Sequence, residues 1–388
     1  MDQLNNLINV DNNQYGSKPV PTCQEGIMAG TSGLDGVVAA DTVLSDVDGE
    51  AGRLVIRGVP VATLVARDGF EGVAARLWEG FVADGLDRTR VAGLLGRARL
   101  AAYGRSAKAI AAGADLDPVP GLRAALATLQ EIAGLHPAAV LAGAAPVFLA
   151  ALIRTRAGLA PVAPDESLST AADLLRMLRG MPAATAEVAA LDAYLTTVSD
   201  HGFNASTFTA RVVASTQAGL VPAVVAALAA LEGPLHGGAP GPVLDMLDGI
   251  GGPENIRPWL EARLTSGERL MGFGHRVYKV RDPRADVLKQ VVRTLSRDAG
   301  RLAFAERVEA DAVAILARVK PGRRLDTNVE FYTALLLEAL AIPRDAFTAI
   351  FAVGRVAGWV AHALEQARDG RLIRPLSRYI GPKAAEAA

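Results

Sequence analysis

The sequence predicts a mostly α-helical protein with a small β element near its start. Three observations carry this. From about residue 65 to the end, alanine- and leucine-rich segments recur at helical spacing and are broken by Gly and Pro. Before them, residues 33 to about 65 are strand-like, reading VVAADTVLSDVDGEAGRLVIRGVP, with turns at Asp48-Gly49 and Gly52. No period of roughly 20 to 50 residues recurs, which excludes a solenoid.

Taken in order, residues 1–20 stand apart. Five of the eight asparagines (Asn5, Asn6, Asn9, Asn12 and Asn13) fall in this stretch, and low hydrophobicity without periodicity marks a disordered tail. Cys23 is the sole cysteine, which rules out an internal disulfide and a multi-cysteine metal site; it reads as a passive thiol. No basic stretch leads into an apolar one, so no signal peptide is read and the cytoplasm is the expected compartment. Helical candidates then follow at 70–79, 87–101, 121–132, 165–179, 184–198, 205–231, 253–265, 286–296, 303–319, 329–340 and 344–367.

Three stretches need separate comment. Residues 137–153 carry no charge, close to bilayer-spanning length. They are alanine-rich with Gly143 and Pro146 inside, and read as buried helix rather than as a membrane span. Residues 205–231 are rich in Ala, Ser, Thr and Val, which lets helices approach closely; ordinary buried packing is favoured over a subunit interface. Residues 344–367 follow Pro343 and place Phe347, Phe351 and Arg355 at i, i+4 and i+8. A guanidinium on that apolar face must find an anion, either a carboxylate of the protein or one of a ligand.

Composition bounds the function. With 51% hydrophobic and 21% charged residues, the chain has the material for a sizeable core. Its 388 residues suggest two to three domains, or one large and one small. A net charge of −1 argues against a protein that coats nucleic acid, while leaving room for a local basic pocket.

Such a pocket has a candidate in residues 271–286, MGFGHRVYKVRDPRAD. His275 follows Gly272 and Gly274, and Arg276, Lys279, Arg281 and Arg284 crowd in behind it. Glycines admit backbone close to a ligand, clustered cations suit an anion, and Asp282-Pro283 is expected to start a turn. Spacing alone leaves two readings, an anion-binding loop or a basic surface loop with an incidental histidine. The other histidines are His136, His201, His236 and His362. His236 lies in the glycine-rich L-E-G-P-L-H-G-G-A-P-G and His201 at a helix boundary. No metal-ligand pair, phosphate-binding loop, dinucleotide fingerprint or nucleophile elbow is present.

Several blocks together resemble the citrate synthase family. They are S-D-H-G-F-N-A-S-T-F-T-A-R, G-P-L-H-G-G-A, M-G-F-G-H-R-V-Y-K-V-R-D-P-R, N-V-E-F-Y and F-A-V-G-R-V-A-G-W-V-A-H, in the family's order. G-L-D-G-V-V-A-A-D-T and the Arg374-Pro375 pair extend the resemblance over roughly residues 33–381. It implies an acyltransferase that condenses oxaloacetate with acetyl-CoA and hydrolyses citryl-CoA, with no metal and no cofactor beyond the CoA thioester substrate. His236 would hydrogen-bond the thioester oxygen, His275 would polarise the oxaloacetate carbonyl and Glu330 would remove a methyl proton. His201, Arg284 and Arg355 would hold oxaloacetate, with Arg374 supplied by the neighbouring subunit of a homodimer or higher oligomer. Lys279 and Arg281 would meet CoA phosphates. The chemistry agrees, since an enol beside a thioester needs a base and a neutral donor, and a dicarboxylate needs guanidinium forks.

The resemblance also implies a citrate synthase-like two-domain, all-helical fold. Residues 21–238 and 340–388 would form a large domain, 239–339 a small one, and the site would lie in the cleft between them. Two departures stand out. The family's usual base is aspartate, whereas this chain has Glu330, and Thr327 to Glu330 also matches a capping box, so that Glu330 is open to both readings. Pro240-Gly241 replaces the family's common Asn-Glu in the loop carrying His236. The alternatives are a 2-methylcitrate synthase using propionyl-CoA, and a non-catalytic structural or regulatory paralogue. No nucleic-acid or membrane partner is expected.

Overall fold

The computed structural model describes residues 34, 36–237, 240–295 and 299–381. The 1–20 segment, Cys23, Gly238 and Ala239 lie outside the described residues. All the elements below lie in the compact unit Thr42–Ala388.

The strand-like stretch forms an antiparallel three-stranded sheet, β1 (Ser45–Asp48), β2 (Arg53–Ile56) and β3 (Val59–Pro60), in that order. Ser45 pairs with Ile56 and Val55 with Pro60. Asp48 builds the first turn as expected, its Oδ1 accepting from the N–H groups of Glu50 and Ala51 at 3.1 and 2.9 Å.

Helices make up the rest. The first group is α1 (Val61–Arg67), α2 (Gly69–Trp78), α3 (Arg88–Tyr103), α4 (Ser106–Gly113), α5 (Pro118–Ala127) and α6 (Pro137–Arg156). Next come α7 (Thr170–Arg179), α8 (Thr185–Val198), α9 (Ala205–Ala214), α10 (Leu220–Leu231), α11 (Pro240–Ile250) and α12 (Ile256–Thr265). The chain closes with α13 (Pro283–Leu295), α14 (Ala299–Val319), α15 (Val329–Ala339) and α16 (Phe347–Asp369).

Most boundaries agree with the sequence reading, and the differences have local causes. Residues 205–231 are two helices rather than one, because Gln217 and Gly219 adopt positive φ (+61° and +91°) and break the chain between them. Ser169 caps α7 by accepting from Ala172 N–H, which moves the helix start from 165 to Thr170. Asp282-Pro283 starts a turn as expected, Asp282 Oδ1 accepting from Arg284 N–H and its carbonyl from Ala285 N–H, both at 3.0 Å. The turn runs straight into α13, which Pro283 opens and where its missing N–H costs nothing. The helices α1, α4 and α11 were not expected: α1 and α4 span about two turns, too few to show a period, and α11 opens on Pro240-Gly241-Pro242, which reads as a loop.

At the centre lie α6 and α16. Residues 138–152 of α6 are all buried, packed against α3, α5, α7 and α16. Among the described residues two helices are long and apolar enough to cross a membrane, Pro137–Arg156 and Arg344–Asp369, and each is 83% buried inside the protein over its apolar window, as core helices are. His136 caps α6 through Nδ1, which accepts from Ala138 N–H at 3.2 Å, so this histidine has a structural duty.

The crossing of α16 over the end of α8 places the functional side chains. A Cβ on Gly358 would come within 2.3 Å of Ser199 O and 2.9 Å of Asp200 Oδ1. Glycine is therefore required for the approach that brings Arg355 to His201. Gly358→Ala is expected to destabilise the fold by about 1–3 kcal/mol through overpacking, measured by denaturant unfolding. An unchanged unfolding midpoint would show that the crossing is looser than it looks.

Candidate active site

The loop before α13 is shaped by two glycines and pinned from below. Gly272 and Gly274 have φ of +84° and +79°, which an L side chain would resist. Asn328 N–H donates to Gly272 O (2.9 Å), Asn328 Nδ2 to Gly274 O (2.8 Å) and Gly274 N–H to Asp326 O (2.8 Å). This clamp presents His275. Its Nδ1 accepts from Val277 and Tyr278 N–H at 3.0 and 3.1 Å, which assigns the ring proton to Nε2. Burial, then Arg284, hold the imidazole at about 4 against the opposing pull of Asp282, so it stays neutral and donates.

Arg284 is buried and clasped by Asp282. Its Nε and Nη2 donate to Oδ1 and Oδ2 at 3.0 and 2.8 Å, and Asp282 Oδ2 also accepts from Val329 N–H at 3.1 Å. Arg284 Nη2 lies 3.4 Å from His275 Nε2. Two donors side by side cannot bond each other; together they face an acceptor oxygen. His201, just past α8, joins them: its Nε2 is 3.0 Å from Tyr278 Oη, and its ring centroid is 5.5 Å from that of His275. Burial, then Arg284, His275 and Arg355, push His201 well below the ordinary imidazole range.

Arg355 on α16 donates from Nε to Val198 O at 2.5 Å and lies 4.6 Å from the Phe351 ring centroid. Among the described residues no carboxylate lies within ion-pair distance of it. Burial lowers it to about 10, Asp200 opposes, and Arg284 adds to the lowering. Of the two anions the sequence allowed, a protein carboxylate is thereby removed for this conformation. By contrast Arg211 on α9, also buried, pairs with Glu365 at 2.5 Å and contacts His362 Nδ1 at 3.1 Å. His362 in turn meets Asp200 at 3.2 Å, a structural network that leaves this histidine no other duty.

Glu330 occupies the first turn of α15. The capping-box alternative fails: Asn328 is the cap, its Oδ1 accepting from Glu330 N–H at 3.0 Å, while Thr327 Oγ1 donates to Glu309 instead (2.7 Å). The Glu330 carboxylate is thus free of local duty. Its Oε2 is shut off from solvent without a hydrogen-bond partner, although the residue as a whole is half-buried. Burial raises it to about 7, with Arg284 and Arg355 pulling down and Asp282 pushing up. Thr333 Oγ1, one turn on, and Tyr194 Oη are buried beside each other, with Tyr194 within electrostatic reach of Glu330.

His236 follows α10 and is half-buried. Ser206 N–H points at Nε2 from 3.3 Å, and this donor's direction is fixed by the backbone, so Nε2 accepts and the ring proton sits on Nδ1. Ser206 Oγ is 2.8 Å from the same nitrogen and accepts from Trp359 Nε1 at 3.2 Å. Burial, then Arg355, lower His236 to about 4.

The remaining expected site residues lie apart. Arg374 is exposed on the extended segment after α16, with no bond to the cluster within this chain. Lys279 is exposed. Arg281 is already matched by Asp286 (2.5 Å) and Glu309 (2.8 Å), which argues against its being a free cation for a phosphate. Pro240 opens α11 directly after the loop of His236. Sequence reasoning passed over Tyr278, Asp282 and Ser206 as site residues. All three stood inside the quoted blocks, but their duty is to contact other site residues, and no spacing reveals that.

A buried carboxylate with a raised pKa, two neutral imidazoles with assigned donors and two converging guanidiniums form one constellation. Known proteins similar to this chain identify its family. A family model described as "Citrate synthase, C-terminal domain" matches residues 33–376. The citrate synthase of Haloferax volcanii is 38% identical, over 90% of this chain and 96% of that relative. The 2-methylcitrate synthase of Mycobacterium tuberculosis is 35% identical, over 90% of each. A solved ternary complex of carboxymethyl coenzyme A and oxaloacetate with citrate synthase from Thermoplasma acidophilum superposes with a TM-score of 0.80. It is 27% identical over 91% of this chain and 96% of that one. The chain belongs to the citrate synthase family.

Proposed function

We propose that this protein condenses acetyl-CoA with oxaloacetate and hydrolyses the resulting citryl-CoA to citrate and CoA. The observation that carries the reading is the Glu330 carboxylate, its Oε2 buried without a hydrogen-bond partner and its pKa raised to about 7, in the field of Arg284 and Arg355. Ionised Glu330 takes a methyl proton of acetyl-CoA, and the electron pair moves into the thioester carbonyl. His236 Nδ1–H stabilises the oxygen of that enol. Its carbon attacks the keto carbon of oxaloacetate while His275 Nε2–H receives the developing alkoxide. Each such neutral donor in a dry site is worth on the order of 10²–10³-fold in rate. Water then cleaves the thioester, releasing citrate and the CoA thiol.

Arg284, Arg355 and His201 hold the oxaloacetate carboxylates. Arg374, exposed on its extended segment, completes that grip from the neighbouring subunit of a homodimer. Lys279 meets CoA phosphates, with Arg281 a lesser contributor because its charge is already matched. The large domain of residues 21–238 and 340–388 closes on the small domain of 239–339 to exclude water. The reaction uses no metal or other cofactor, and the protein works in the cytoplasm.

A second reading, 2-methylcitrate synthesis from propionyl-CoA, is motivated by the mycobacterial relative of that name. One methylene is worth only ~1–3 kcal/mol of discrimination, so a direct assay decides. Free-thiol release is measured from acetyl-CoA and from propionyl-CoA, with and without oxaloacetate. Oxaloacetate-dependent release is expected from both, and the higher kcat/KM names the substrate. No release from either thioester, in folded protein that still binds oxaloacetate, would favour the non-catalytic paralogue.

A further inference from the structure

Outside the substrate cluster, Glu309 on α14 is a buried carboxylate held by four different side chains. It is 5% exposed and, of the residues assigned to substrate, bonds only Arg281, the lesser CoA contributor. Oε1 accepts from Thr327 Oγ1 (2.7 Å) and pairs with Arg281 Nη1 (2.8 Å). Oε2 accepts from Lys289 Nζ (2.8 Å) and Tyr332 Oη (2.5 Å). An ionised carboxylate has about four acceptor sites, and all are filled.

The four partners come from three other segments. Arg281 lies between His275 and Arg284, and Lys289 is on α13. Thr327 precedes the Asn328 cap, and Tyr332 lies two positions beyond Glu330 on α15. Glu309 therefore holds a side chain on each side of Glu330. Thr327 also bridges across to Phe273, two residues before His275. One carboxylate thus ties the segment bearing the base to the loop bearing the electrophilic histidine.

We propose that Glu309 is a positioning residue that locks Glu330 and His275 in register for proton removal and carbonyl attack. The inference rests on the synthase reading above. Burying a four-point ionic node is seldom the stabler choice over apolar packing, so stability alone gives little reason for one here. Holding two catalytic loops to within about 0.5 Å does give one. Burial works against the charge, yet the bonds from Lys289, Tyr332 and Thr327, with the field of Arg281, hold the carboxyl at about 2, so the node stays ionised at any working pH.

Three variants test it: Glu309→Gln, Tyr332→Phe and Thr327→Val. Each is assayed for thiol release and for oxaloacetate-dependent exchange of the acetyl-CoA methyl hydrogens in D2O. Glu309→Gln is expected to lower kcat and methyl exchange together by on the order of 10–10²-fold, the scale of a misplacement of about 1 Å. KM for oxaloacetate should stay near wild type, because Arg355 and the Arg284–Asp282 pair are outside the node. Tyr332→Phe and Thr327→Val should follow with smaller losses in the same two quantities. Unchanged kcat in Glu309→Gln, or a loss that merely tracks the folded fraction by circular dichroism, overturns the proposal. If Glu309→Gln fails to fold, the two hydroxyl deletions are judged by the same criterion. If the wild-type protein itself releases no thiol, the synthase reading fails, and hydrogen–deuterium exchange judges the node. Joint loss of protection over residues 272–281 and 326–332 in the variants then upholds it, and unchanged protection overturns it.

Discussion

Glu330→Gln is expected to lower kcat by on the order of 10²–10⁴-fold, the usual worth of a positioned general base, and at the same time to stabilise the protein. The two effects share a cause. With its Oε2 shut from water and without a hydrogen-bond partner, the carboxyl is held near 7 against an ordinary 4.5, so folding must work against its ionisation. The sign follows from linkage. A carboxyl whose folded pKa is raised binds its proton more tightly in the native state, so stability falls as pH rises from 4.5 through about 7. Above that the whole cost is present, at most ~3 kcal/mol at 1.36 kcal/mol per unit.

Glutamine does not titrate, so the variant should melt higher than wild type at pH 8 and show no such advantage at pH 4. Wild-type turnover should climb as pH rises towards 7 and then level, because Glu330 must be ionised while His236 and His275, both near 4, stay neutral throughout. Thermal melts and thiol-release rates at matched pH read both arms. A variant that keeps its rate and melts lower would return Glu330 to a structural role in its helix.

Arg355→Met carries the other large effect. This guanidinium is buried, leans on Phe351 and has no carboxylate within ion-pair distance among the described residues. If it is kept for a substrate carboxylate, truncation removes one partner of a desolvated charge pair, which costs about 2–5 kcal/mol. KM for oxaloacetate should rise by on the order of 30- to 10³-fold, while KM for the acyl-CoA changes little. The melting temperature of the free protein should not fall, since methionine fills similar space without a buried charge. The contrary pattern, a lower melting temperature with unchanged oxaloacetate KM, would make Arg355 a strut between α16 and Val198 at the end of α8.

Much of this was legible beforehand, for identifiable reasons. Helical periodicity is a local property, so α2, α3, α8, α15 and most of α16 could be read from spacing alone. Loop and turn chemistry at Asp48 is equally local. Gly219 and Ser169 show where that reading slipped: a left-handed break and a single cap bond moved boundaries that periodicity had passed over. The catalytic candidates were legible as blocks because His201, His236, His275, Arg284 and Arg355 sit among glycines, prolines and aromatics whose order is specific.

What spacing could not supply was who touches whom. Thr327 and Glu330 have the pattern of a capping box, yet Asn328 took the cap and Glu309 took the threonine, because an acceptor from α14 was within reach. Tyr278 and Asp282 stood in plain view but acquire a role only when His201 and Arg284 fold against them. The sequence by itself determined the helical class, the family blocks and the inventory of bases and cations, since these depend on residue type and near-neighbour order. Only the tertiary structure decided which imidazole nitrogen donates, which carboxylate is left unpaired and which arginine lacks a counter-charge. Those are set by burial and by contacts across hundreds of residues of chain, where a difference of one hydrogen bond turns a structural side chain into a reactive one.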